Sequence, residues 1–182
     1  MNNEVILFKK EDFIFTKINE YNYKIKFNMI NNKIQLDKII DFGLMKLIYD
    51  LNPDIYLEST IKKINEDEVE VALLLKHFFE DLGLPQKYFY INMKKFVNDN
   101  SVIFYSKSIT NKRPEWIPEN AELFSIDTLI CTCNIETPHK IHTTFDLQIE
   151  PNKNIPILAI QKLFRIIIHK IFKRVKQFIE NL

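Results

Sequence analysis

Glycine is scarce in this chain of 182 residues, which contains only Gly43 and Gly83, where an average sequence of this length would hold roughly a dozen. Loops that cradle phosphate need clustered glycines, so a P-loop, a dinucleotide-binding fingerprint and a glycine-rich kinase lid are excluded. No run approaches the roughly 18 uncharged apolar residues of a membrane span, and no signal-peptide pattern opens the chain. With 46% apolar residues, the length suits one complete core, and we predict a single α+β domain over residues 1–182.

Cysteine is almost as rare. Cys131 and Cys133 would project from one face of a strand, a geometry poorly suited to a mutual disulfide, so we expect reduced thiols and a cytoplasmic or nuclear protein. Together with His139 and His142, which follow in the same predicted hairpin, they could hold zinc if Cys133 lies opposite His142. The alternative is that both cysteines are small buried apolar residues. The spacing matches no common zinc signature, so no cofactor is predicted and zinc stays an alternative.

The apolar pattern predicts an α+β fold. Alternation from Tyr21 to Ile30 predicts a strand with one buried face, and helical spacing predicts a helix from about Leu36 to Leu51. A cap at Asn65, followed by apolar residues on nearly all sides as far as Leu82, predicts a central buried helix. Further strands are predicted at residues 5–8, 13–18, 88–97, 101–109, 122–135 and 141–150, while residues 54–63 stay ambiguous. We expect an antiparallel sheet with helices packed on one face and a long C-terminal amphipathic helix.

That C-terminal helix, residues 155–182, holds most of the positive charge. It carries about +5, whereas residues 1–154 carry about −4. We predict that its apolar stripe closes the core and that its cationic side recognises a partner, with an anionic membrane surface as another possible target. The predicted partner-binding residues are Lys162, Arg165, Lys173 and Lys176, together with the single tryptophan, Trp116, in a loop between two prolines. That tryptophan either plugs the edge of the core or anchors a partner.

No nucleophile with a supporting base can be assembled from the sequence. His77 is placed on the predicted buried helix and His169 on the basic face of the last helix, where a solvated position is expected. The acidic residues at 66–70 are explained by a favourable interaction with a helix dipole. We therefore predict that the chain is not an enzyme and that a small-molecule substrate is not its partner.

Basic and aromatic residues interleave in a way that suits nucleic acid. Such residues can offer stacking surfaces beside phosphate contacts, although they would equally form the aromatic core face of a sheet. The candidate nucleic-acid-binding residues are Lys87, Tyr88, Tyr90, Lys94, Lys107 and Phe145.

Residues 66–104 resemble the junction between the halves of a TATA-box-binding protein. The resemblance lies in an acidic helix start, the segment Leu-Gly-Leu-Pro-Gln-Lys-Tyr at 82–88, and a following strand that contains Val97 and Phe104. Pro138 and Phe145 fall in the order of the second-half strands of that family. The resemblance implies a saddle of antiparallel strands that binds the DNA minor groove.

The sequence thus predicts a non-catalytic interaction protein, a subunit or factor that docks into a larger macromolecular or nucleoprotein assembly. The alternative is a nucleic-acid-binding module, similar to the TATA-binding family, that acts in transcription.

Overall fold

The computed structural model describes residues 4–78, 80–151 and 157–182, with the backbone alone at Leu82 and over 157–166. Ten strands and two α-helices occur in these residues. The strands are β1 Val5–Lys10, β2 Phe13–Lys17, β3 Asn22–Ile30, β4 Tyr56–Asn65, β5 Glu68–Leu75, β6 Lys87–Asn98, β7 Ser101–Ser108, β8 Glu122–Leu123, β9 Ile126–Thr137 and β10 Lys140–Ile149. The helices are α1 Phe42–Asp50 and α2 Ile157–Glu180, and short 3₁₀ turns lie at Leu36–Lys38 and Glu80–Leu82.

The strands form one sheet in the order β1-β2-β3-β10-β9-β7-β6-β5-β4, and β8 pairs in parallel with β6. Every other pairing is antiparallel. Strand β10 lies between β3 and β9 and so joins the N-terminal strands to the rest of the sheet. The predicted α+β class is confirmed, with an antiparallel sheet, helices on one face and a long C-terminal helix.

The two faces of the sheet support two groups of buried side chains. We call the larger the inner cluster; it includes Phe27, Val71, Phe104 and Phe145 from the sheet and Phe172 from α2. The smaller, the outer cluster, lies on the opposite face and consists of Ala72, Leu74, Tyr88, Tyr90, Ile117 and Ala121. Helices cover the inner cluster, and a loop at residues 110–121 covers the outer one.

The prediction of a helix at residues 65–82 is wrong, because the centre of this segment, Glu68–Leu75, is strand β5. Val71 and its alternate neighbours face the inner cluster, while Ala72 and Leu74 face the outer one. A strand buried on both faces reads as a continuous apolar run, which periodicity cannot distinguish from a buried helix. Asn65, interpreted as a helix cap, instead forms the β4–β5 turn, where its Oδ1 accepts a hydrogen bond from the Asp67 amide at 2.9 Å.

Helix α1 is shorter than predicted and has a well-defined start. The Asp41 carboxylate caps it by accepting hydrogen bonds from the amides of Gly43 (2.8 Å) and Leu44 (3.1 Å). A Cβ at Gly43 would lie 2.9 Å from that capping oxygen, so the position favours glycine. Two residues beyond the helix, buried Asn52 donates from its Nδ2 to the Ile48 carbonyl at 2.7 Å. These two ends fix which side of α1 faces the sheet.

Candidate functional site

A cavity of about 170 Å³ lies within the inner cluster, between the sheet, α1 and the described part of α2. Its wall includes Ile48 and Tyr49 from α1 and Ile168 and Phe172 from α2. The sheet contributes residues from β3 to β10, among them Leu73, Ile91, Phe104, Leu129 and Leu147. An apolar cavity of roughly 150 Å³ is large enough to bind benzene. The space therefore suits an apolar ring or a short alkyl chain.

The two-residue period of the strands explains why these side chains share one wall. On β5 and β6 the odd-numbered residues line the cavity, including Leu73, Phe89 and Ile91, whereas on β7 the even-numbered Phe104 and Ser106 do so. The antiparallel registers bring these residues together on the same face. A one-residue shift in register would turn them away from the helices.

Polar groups on the cavity wall are few and uncharged. The described lining residues include no acidic, basic or histidine side chain, and the hydroxyl-bearing residues are Tyr49, Tyr56 and Ser106. The rings of Tyr49 and Tyr56 meet edge to face with centroids 5.4 Å apart. Burial raises the pKa of both phenols, and Tyr49 raises that of Tyr56 further, so both stay protonated near neutral pH. The wall can donate or accept a hydrogen bond but offers no counter-ion.

The basic side of α2 faces acidic groups of this same chain. Asp54, in the turn that precedes β4, forms ion pairs with both Lys170 and Arg174. Hydrogen bonds from Arg174 and Lys170 lower the pKa of the Asp54 carboxyl. Lys176 reaches Asp12, in the turn between β1 and β2, at 2.7 Å. Both loops thus join α2 to the sheet through charge.

Hydrogen bonds to uncharged acceptors add to this attachment. The Arg174 guanidinium donates to Asn52 Oδ1 at 3.1 Å, which joins α2 to the end of α1. Asn31 Nδ2 donates to the Ile179 carbonyl at 2.6 Å. The C-terminal part of α2 therefore covers the inner cluster from a fixed position.

Of the predicted partner-binding residues, the structure shows one, Lys176, in an ion pair within the chain. Lys173 is exposed. The side chains of Lys162 and Arg165 lie outside the described residues. Trp116 is half-buried and packs against the outer cluster. This position fits the first of its two interpretations, a plug at the edge of the core. The charge asymmetry seen in the sequence reflects complementarity between α2 and the loops beneath it.

The proposed zinc ligands are not brought together. Cys133 pairs with Thr143 and His142 with Asn134, so the expected register is one residue off and His142 lies on the opposite face from the cysteines. The Nδ1 atom of His142 is 2.8 Å from Asn28 Oδ1. In the described part of the chain, no group of three or more His, Cys, Asp or Glu side chains could hold a metal ion.

The other members of the proposed zinc site have local roles. Cys131 and Cys133 are free and buried, with their Sγ atoms 3.9 Å apart, as the alternative interpretation of small buried residues expects. Burial raises the pKa of the Cys131 thiol. His139 Nδ1 lies 2.8 Å from the Ile34 carbonyl oxygen and ties the β9–β10 turn to the segment before α1.

The two remaining histidines also differ from expectation. His77, predicted in the core, is exposed in the segment after β5, with its Nε2 2.6 Å from the Leu84 carbonyl oxygen. His169, expected in solvent, is half-buried against the ring of Phe8 at a centroid distance of 4.4 Å. Its burial, with a contribution from nearby Lys173, lowers the pKa of its imidazole.

The six candidate nucleic-acid-binding residues do not form one free surface. Tyr88 and Tyr90 are buried in the outer cluster beneath the 110–121 loop, and Phe145 lies on the cavity wall. Lys87 is buried and paired with Glu122 at 2.6 Å. Lys94 and Lys107 are half-exposed and lie 3.7 Å from Glu68 and Asp127, respectively. No stacking platform beside a row of free cations exists among these residues.

Comparison with known proteins gives a fold and no sequence family. No protein-family model and no curated protein matches the sequence. Among solved structures, the chain is similar to the human StarD13 lipid transfer and protein localization domain, with 10% identity and a TM-score of 0.72, over 100% of this chain and 91% of that one. The human StAR-related lipid transfer protein 5 has 9% identity and a TM-score of 0.72, over 98% and 86%. A STAR-related lipid transfer protein from Xanthomonas axonopodis has 10% identity and a TM-score of 0.71, over 97% and 98%.

The fold is therefore the helix-grip fold of StAR-related lipid transfer domains, and the resemblance to a TATA-box-binding protein is wrong. The segment that carried it, residues 66–104, forms three consecutive antiparallel strands, β5 to β7, and contains no α-helix in its described part. Two functional hypotheses are also wrong: that the chain is a nucleic-acid-binding module, and that it is a docking subunit of a larger assembly. The expectation that the partner is not a small molecule is wrong as well.

Sequence reasoning missed the cavity and its hydroxyls. Tyr56 lies in the segment 54–63, which the sequence pattern did not assign, and Tyr49 lies within the predicted helix from about Leu36 to Leu51 without a predicted role. The available signal was the unusual aromatic content, 15 Phe and 7 Tyr, which exceeds what an average chain of this length holds and favours a voluminous inner face. No helix in the described residues combines the length and hydropathy that crossing a bilayer requires.

Proposed function

We propose that residues 1–182 act as a single non-enzymatic domain that binds a small hydrophobic molecule in the cavity between α2 and the sheet. The observation that carries the proposal is the cavity of about 170 Å³, whose described wall is almost wholly apolar and carries no charge. Ligand sites in proteins are typically concave and mostly apolar, with a few placed polar groups. A cytoplasmic or nuclear location remains a prediction.

The fold supports the same proposal. The structures reported above are described as lipid transfer proteins or domains, and they share this arrangement of sheet and C-terminal helix over nearly the whole chain. Their identity of 9–10% transfers no residue role. The role of the cavity therefore depends on a direct binding test.

Methionine methyl groups provide a local probe for that test, because Met45 and Met93 both line the cavity. We expect titration of toluene into protein labelled with ¹³C at the methionine methyls to shift the signals of Met45 and Met93 in a saturable manner. In parallel, organic extraction of the purified protein followed by mass spectrometry should recover a co-purified apolar molecule. Absence of saturable shifts at both methionines would contradict the proposal.

A matched pair of substitutions locates the binding. Leu129→Phe adds volume on the cavity wall, whereas Ile103→Phe adds the same ring type on the opposite face of β7. We expect Leu129→Phe to weaken toluene binding at least tenfold and Ile103→Phe to leave it within twofold. Equal effects of the two would mean that the ligand binds elsewhere.

A further inference from the structure

The cavity has a polar end formed by Tyr49 and Tyr56. Both residues line it, and their rings pack edge to face at 5.4 Å. No hydrogen bond of either hydroxyl to another group occurs among the described residues. Neither hydroxyl is among the enclosed, unpaired side-chain atoms, so both keep accessible surface. Two adjacent, accessible phenols on the cavity wall mark a place where a ligand atom can form a hydrogen bond.

Two other buried tyrosines of this chain have hydroxyl partners. Tyr23 donates from its hydroxyl to the Glu20 carbonyl at 2.9 Å, and Tyr90 donates to Glu70 Oε2 at 2.7 Å. Both satisfied phenols meet groups of the protein outside the cavity. Buried Tyr88 of the outer cluster also has no hydroxyl partner among the described residues, so what distinguishes Tyr49 and Tyr56 is their place on the cavity wall.

Charge decides what kind of ligand atom can bind there. The described wall contains no basic side chain, and the nearby cations of α2, Lys170 and Arg174, are already paired with Asp54. Bringing an unpaired carboxylate or phosphate into such surroundings costs several kcal/mol or more. A hydroxyl or carbonyl needs only one hydrogen bond, which a phenol can donate or accept.

We propose that Tyr49 and Tyr56 select a neutral, mostly apolar ligand with one hydroxyl or carbonyl group, and exclude ligands whose cavity-bound end is anionic. The inference rests on the proposed binding function and specifies its ligand class. The volume of about 170 Å³ limits the enclosed part to roughly a substituted ring.

Three probes of nearly equal size test the assignment: toluene, benzyl alcohol and benzoate, titrated at pH 7 and followed by the methyl signals of Met45 and Met93. We expect benzyl alcohol to bind and benzoate to bind at least tenfold more weakly than benzyl alcohol. In the double variant Tyr49→Phe/Tyr56→Phe, the dissociation constant of benzyl alcohol should rise about three- to tenfold, the value of one net hydrogen bond. The dissociation constant of toluene in the double variant should stay within twofold of its wild-type value.

Tyr105→Phe is the matched control, because Tyr105 lies on the opposite face of β7 from Phe104 and Ser106 of the cavity wall. It should change no dissociation constant. The inference is overturned if the double variant binds benzyl alcohol as wild type does, if benzoate binds as tightly as benzyl alcohol, or if Ser106→Ala alone produces the loss expected of the tyrosines. Failure of toluene to bind wild type would instead contradict the proposed function itself.

Discussion

The two faces of the sheet bury aromatic residues in different ways. On the outer face, the 110–121 loop follows the surface closely enough for Arg113 to lie 5.2 Å from the ring centroid of Tyr88 and Lys112 5.6 Å from that of Tyr90. On the inner face, helix α2 lies over the sheet and a cavity remains beneath it. A loop can adjust residue by residue, whereas the contacts of a helix are fixed by its axis. The comparison teaches that the helical cover leaves unfilled space, whereas the loop cover does not.

The largest expected effect concerns the contact that holds α2 to the inner face. The Phe172 ring lies 4.5 Å from that of Phe145 and 5.3 Å from that of Phe27. We expect Phe172→Ala to lower the free energy of unfolding by about 3–5 kcal/mol, measured by urea denaturation. Phe178→Ala, at a 40% exposed position of the same helix, should cost less than about 1 kcal/mol. Equal losses would mean that α2 does not pack as described.

A second comparison tests how the two faces accept added volume. Ala72 is 2% exposed within the outer cluster, so we expect Ala72→Leu to destabilise the protein by about 1–3 kcal/mol through overpacking. Leu129→Phe, beside the inner cavity, should change the free energy of unfolding by less than about 1 kcal/mol because the space already exists. Urea denaturation of both variants measures the difference, and a greater loss for Leu129→Phe would contradict the distinction between the faces.

Hydroxyl removal gives a smaller difference. Tyr90→Phe deletes a 2.7 Å hydrogen bond to Glu70, and we expect a loss of about 1 kcal/mol. Tyr49→Phe and Tyr56→Phe delete hydroxyls without partners in the described residues, so the ligand-free protein should lose little or gain slightly in thermal stability. Differential scanning calorimetry without ligand measures all three. A loss at Tyr49 or Tyr56 comparable with that at Tyr90 would show that these hydroxyls are already satisfied.

The smallest expected effect is the pH dependence of the attachment of α2. The pKa of Asp54 is lowered in the folded state, so its stabilising contribution is present above the unfolded pKa, near 4, and is lost as pH falls through the folded value. Because the pair is partly exposed, we expect Asp54→Asn to cost less than about 1 kcal/mol at pH 7. The cost should shrink as pH falls below 4. Urea midpoints measured at pH 7 and pH 3 test this sign, and a difference that grew at pH 3 would contradict it.

Local pattern predicted much of the fold but little of the site. Strand β3 and helix α2 followed from alternation or helical spacing, because each has one buried side. The hairpin of β6 and β7 was also predicted, although β6 contacts both clusters. Strand β5 was not, because its two faces contact different clusters and its pattern has no polar side. The zinc hypothesis depended on the register of the β9–β10 hairpin, and a shift of one residue moves a side chain to the other face of the sheet. That register is determined by pairing across the sheet.

By itself, the sequence determined the class of the fold, the absence of glycine-dependent phosphate sites and a basic C-terminal helix on an acidic body. Those properties follow from composition and from periods of two and 3.6 residues, which are local. Only the tertiary structure decided that Lys170 and Arg174 meet Asp54 and that Tyr49 and Tyr56 face the same cavity. No single residue or sequence motif forms a cavity. Its volume is what remains when side chains from distant strands and two helices pack together. For that reason no pattern along the chain could have revealed it.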